Sequence, residues 1–119
     1  PRNSFSLVKN WQVIFLEYNI AIKKGVFVAK YLVTYHGVPS ADMEKVKEAF
    51  GNWIAEAGSA VLDPGAPVYR VAQIGNGDAV NILGYVIIEA PDKDAAVKVL
   101  EHHPFVSRYT LQLNELIVV

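Results

Sequence analysis

Cysteine is absent from this chain. That excludes disulfide staples, thiolate metal sites and cysteine nucleophiles, and it suits a reducing compartment, so the expected location is cytoplasmic. An excess of charge is absent as well. Eleven Lys and Arg stand against 12 Asp and Glu, for a formal net charge of −1. No broad basic surface is then expected for a phosphate backbone, so nucleic acid is not an expected partner. Long apolar runs are also missing. The run "VIFL" is cut by Glu17, Asn19, Lys23 and Lys24, which argues against a spanning helix or a secretory core, so no membrane partner is expected. Histidine occurs three times, as His36, His102 and His103. Zinc sites usually take three or four protein ligands at suitable spacing, so no metal is expected.

What the chain does have is apolar side chains. Of its 119 residues, 52% are hydrophobic and 19% charged. The length is that of one domain, and the apolar excess suggests surface for a partner subunit.

Residues 1–25 read as an N-terminal extension, with helical periodicity over 4–24. Leu7, Trp11, Ile14, Phe15, Tyr18 and Ile22 form a stripe at steps of three and four. The rival reading is a strand through "WQVIFLEYNI". The domain proper is expected over 26–119. It begins with a strand over 26–36 and a helix from Ser40 or Asp42 to Ala57, whose stripe is Met43, Val46, Phe50, Trp53, Ile54 and Ala57. "SAVLDPGAPVYRVAQI" suggests a short strand, a Pro-Gly turn and a longer strand. "GNGD", residues 75–78, carries a hairpin signal; it lacks the glycine spacing and following helix of a nucleotide loop, and no cofactor is expected. A strand over 80–90, a helix capped by Asp92 and a strand over 109–119 complete the order β-α-β-β-α-β. The expected class is α+β, with a ferredoxin-like antiparallel sheet carrying two helices on one face.

A sheet covered on one side should alternate apolar and polar residues. The first and third strands do not. Val28 and Leu32 oppose Tyr31, Val33 and Tyr35; Val86 and Ile88 oppose Tyr85 and Ile87. Both faces of the sheet centre are expected to leave water, which predicts a homodimer packed through sheet faces.

Two stretches, "WIAEAGSAVLDPGAPV" and "GYVIIEAPDKDAAVKVLEHHPF", resemble the YCII-related family, including its DGPF-motif branch. The resemblance runs from about Lys30 to Val119 and rests on the Gly58–Gly65 corner, Gly84 with Tyr85, and His103-Pro104. It implies a dimeric α/β-barrel-type assembly of ferredoxin-like subunits. Family members with proposed enzymatic roles carry a histidine within the first helix and an aspartate near its end; alignment through Gly58 puts Lys47 and Glu56 there. Lys47 is no substitute for an imidazole that titrates near neutrality, and "GNGDAVNI" stands where the DGPF string would lie.

The candidate site residues are His36, Glu56, Asp63 and His103. Proline disfavours helix in the residue before it, so the second helix should end near His102. Both adjacent imidazoles then lie at the negative end of the helix dipole, which favours their charged form. The plain reading is a helix cap with a partly buried ring. His36 ends a central strand; its plain reading is a solvated turn residue. Asp63 before Pro64 suits a turn in which it accepts its own backbone hydrogen bond. If Asp63 or Glu56 meets His36 or His103 in a shared cleft, the carboxylate could orient the imidazole as a general base. The reaction class would be lyase- or isomerase-like, with Tyr31, Tyr35 and Tyr85 as candidate lining and Arg70 as a candidate anion holder. A non-catalytic ligand-binding or accessory dimer is the alternative. An RNA-recognition module is the weakest reading, because "LGYVIIEA" lacks the stacking rings.

Overall fold

The computed structural model describes residues 28–39 and 42–117, apart from the side chain of Met43. The expected helix over 4–24, Ser40 as a cap, and the outer ends of the first and last strands lie outside the described residues.

Among the described residues four strands and two α-helices follow one another: β1 (Ala29–His36), α1 (Met43–Ala57), β2 (Val61–Asp63), β3 (Gly84–Ala90), α2 (Lys93–Glu101) and β4 (Thr110–Glu115), with short 3-10 turns at Gly58–Ala60 and Pro104–Ser107. They form an α+β arrangement with one four-stranded sheet in the order β2-β3-β1-β4. Every neighbouring pair is antiparallel. β1 and β2 therefore run parallel with β3 between them, and β3 and β4 run parallel with β1 between them. Each helix carries the chain over one inserted strand.

Alternation along the strands selects the buried face. Tyr31, Val33 and Tyr35 of β1 and Val86, Ile88 and Ala90 of β3 are buried. They form one cluster with Trp53 and Ala57 of α1 and Ala96, Val99 and Leu100 of α2. Both helices thus lie on one face. The Trp53 indole N–H donates to the Val99 carbonyl at 3.2 Å and ties them together.

The helix ends follow local chemistry. Asp92 caps α2 by accepting from the Ala95 amide at 2.9 Å. Asp42 occupies the same position before α1 without a side-chain cap bond. Gly58 ends α1 at φ +55°, its amide donating to the Ile54 carbonyl. Gly51, within α1, has open space where a Cβ would stand; glycine is tolerated there rather than required.

One expectation fails. No strand forms over residues 66–74, and none over 79–83. From Pro64 to Leu83 the chain makes an exposed excursion with a single isolated bridge, Pro67 to Gly84. It turns back through Gly75–Gly77, where the Gln73 side-chain Nε2 donates to the Gly77 carbonyl at 3.0 Å. Tyr69, Val71 and Ile74 are 89%, 89% and 98% exposed. An isolated two-stranded ribbon is marginal in water, and these β-prone residues have no described surface to pack against. Among the described residues no helix is long and apolar enough to cross a membrane.

Candidate functional site

β1 ends, α1 begins and the excursion leaves and rejoins the sheet at one end of the molecule. Asp63 starts this corner. Its Oδ1 accepts the Gly65 amide at 2.8 Å, closing the turn at Pro64. Gly65 has φ +76°, and a Cβ on it would lie 1.7 Å from the Tyr85 carbonyl oxygen. The close approach presses the following residues against β3, with the Tyr85 amide donating to the Ala66 carbonyl and the Val68 amide to the Leu83 carbonyl.

A cavity of about 420 Å³ opens between this corner and α1. Its lining is almost wholly apolar and includes Tyr35, Phe50, Pro67, Leu83 and Phe105, with the exposed Lys47 on its α1 side. Tyr35 is 4% exposed, whereas the other lining tyrosines, Tyr85 and Tyr109, are half-buried.

Tyr35, in that wall, forms a polar pair with His103. His103 is 2% exposed. Its ring centroid lies 4.4 Å from that of Trp53, 4.7 Å from Phe105, 5.1 Å from Tyr35 and 5.6 Å from Phe50. The helix stops at Glu101 with His102 as its C-cap, near the expected end, and the extended His103 before the Pro104–Ser107 turn points its ring inward. There Nδ1 accepts the Phe105 amide at 3.0 Å, while Nε2 lies 2.9 Å from the Tyr35 hydroxyl. Since Nδ1 accepts, the neutral ring carries its proton on Nε2 and donates it to the Tyr35 oxygen. Burial among rings lowers the His103 pKa to about 3 and raises that of Tyr35. Both groups are neutral at pH 7. The helix end favours a charged imidazole, and desolvation outweighs it here.

The four sequence candidates are dispersed. His36 lies on the sheet face opposite Tyr35. Its Nδ1 donates to the Asn81 carbonyl at 3.0 Å, which leaves Nε2 to accept from the Thr34 hydroxyl at 2.8 Å. Asp63 holds its turn. Glu56 sits on the exposed side of α1. Among the described contacts neither His36 nor His103 bonds to a carboxylate. Tyr31 is in the core rather than the cavity wall. Arg70 is exposed and bonds to the Asn81 side chain. Among the described residues no cluster of three or more His, Asp or Glu could hold a metal ion.

Sequence reasoning missed Phe50 and Phe105 as cavity residues and missed the Tyr35–His103 pair. Histidine before proline marked His103 as unusual, but its partner lies 68 positions away and only the sheet brings them together. No protein-family model matches the chain, and no curated protein or solved structure matches it.

Proposed function

We propose that this chain is a ferredoxin-like, YCII-related cytoplasmic protein that binds a small, mainly apolar molecule, and that it works as a homodimer. The cavity beside Tyr35 carries the reading. Its volume of about 420 Å³ falls within the range typical of small-molecule sites, about 300–1,000 Å³. Apolar walls with one buried hydroxyl suit a ligand that is mostly hydrocarbon. Lys47, at the helix position where the resembling family carries a histidine, lies along the same cavity.

Binding is the reading preferred over turnover. A general base needs an available lone pair. The Nδ1 lone pair of His103 is taken by the Phe105 amide, and both nitrogens of His36 are engaged. The β-α-β-β-α-β order and the strand order support the ferredoxin-like assignment.

A panel of toluene, indole and acetophenone tests the binding reading on ¹⁵N-labelled protein. At least one should shift the Gly65, Gly84 and Phe105 amide signals saturably. A panel in which none does so would remove the cavity as a binding site.

A further inference from the structure

We infer that Tyr35 offers its hydroxyl proton to the occupant of the cavity, so that the ligand class is a ring-sized apolar molecule bearing a neutral oxygen acceptor, such as a ketone or ether. This rests on the small-molecule reading above and specifies it.

The direction of one proton carries the argument. The Phe105 amide donates to His103 Nδ1, which places the ring proton on Nε2. That proton is directed to the Tyr35 oxygen, 2.9 Å away. The Tyr35 hydroxyl cannot donate back to a nitrogen that already carries hydrogen. Its own proton must go elsewhere, and among the described residues no acceptor receives it. The hydroxyl is satisfied as an acceptor by His103, and its own hydrogen is left to donate a second bond. Tyr35 is 4% exposed and lines the cavity, so an acceptor held there completes the network.

The surroundings restrict that acceptor. A carboxylate or phosphate beside Tyr35 would leave water for an apolar wall without a cation at the hydroxyl, which is costly. Among the described lining residues the cation is Lys47, which is exposed on α1. A carbonyl or ether oxygen accepts one hydrogen bond at little desolvation cost. The rings of Phe50 and Phe105, stacked at 22° with centroids 5.6 Å apart, complement an aromatic or alicyclic body.

Acetophenone and α-methylstyrene form the test pair. They have nearly the same shape, and the second replaces the carbonyl oxygen with a methylene group. Wild-type protein should prefer the ketone by about tenfold, the value of one buried hydrogen bond, after correction for their transfer from water. Tyr35→Phe should abolish that preference while still binding α-methylstyrene. The carbonyl stretch of bound acetophenone should move to lower frequency than in hexane. This infrared reading needs only wild-type protein and decides the matter if the variant fails to fold. Equal binding of the two probes, or an unshifted carbonyl band, overturns the Tyr35 assignment and leaves the cavity as a site. Binding of neither probe overturns the small-molecule reading and this one with it.

Discussion

Burial of His103 among Tyr35, Phe50, Trp53 and Phe105 sets two forces against each other. The preceding helix end favours an imidazolium by about 0.3–1 kcal/mol. Removing a charged ring from water opposes this by more and lowers the pKa to about 3. In the unfolded chain the ring returns to its ordinary value of about 6.5. The unfolded state therefore takes up the proton first as pH falls. This contribution to stability is fully present above about pH 6.5 and is lost progressively towards pH 3, to the extent of a few kcal/mol at most, on the order of 1.4 per pKa unit. His103→Gln lacks the imidazole. The stability advantage of wild type over this variant, from urea unfolding at pH 7, 5.5 and 4, should shrink as the pH drops. An advantage that stays constant across that range would show that His103 is not buried neutral.

At the scale of elements, the corner between β2 and the excursion depends on Gly65. A non-glycine residue at φ +76° costs about 1–2 kcal/mol. The added Cβ would also meet the Tyr85 carbonyl oxygen at 1.7 Å, so backbone must move. Gly65→Ala should lose about 3 kcal/mol or more, placing it among the severe single substitutions, with a melting temperature lower by roughly 10 °C or more. A thermal unfolding curve within about 2 °C of wild type would show that the corner relaxes freely. The excursion itself shows where local signals mislead. "VYRVAQI" is rich in strand-forming residues and "GNG" reverses the chain, yet the two arms make only scattered hydrogen bonds. Strand propensity largely reflects packing against neighbours, and Tyr69, Val71 and Ile74 stay almost wholly exposed.

The whole molecule presents a sheet face opposite the helices. Leu32 pairs directly with Ile87, and Thr34 with Tyr85. Leu32, Tyr85 and Ile87 are half-buried there. Lys30, Glu89, Gln112 and Asn114 share that face, so its oily part is narrower than the strand sequences alone suggest. A second copy seated on the patch, reinforced by the exposed Tyr69, Val71 and Ile74, is the arrangement behind the proposed homodimer. A stable interface of this kind buries about 800 Å² on each partner. Light scattering after gel filtration should give twice the chain mass, and Leu32→Lys with Ile87→Lys should give the single-chain mass with the helical signal retained. A wild-type protein of single-chain mass at micromolar concentration would end the homodimer proposal.

What the sequence determined by itself was local. Periodicity placed α1 and α2 within a residue or two, because each helix buries a stripe readable at steps of three and four. Asp92 as a cap and the Asp63 turn were legible because each acts within four residues of itself. The element order was legible in the alternating periodicities, and the central place of β1 and β3 followed from that order. Tertiary structure alone decided the site. It joined Tyr35 to His103, stacked Phe50 and Phe105 side by side in the lining of one cavity, and sent His36 to the opposite face. It also neutralised a ring whose place at a helix end favoured charge. Desolvation depends on every atom around a group, and hydrogen-bond partners far apart in the chain are chosen by the sheet that carries them.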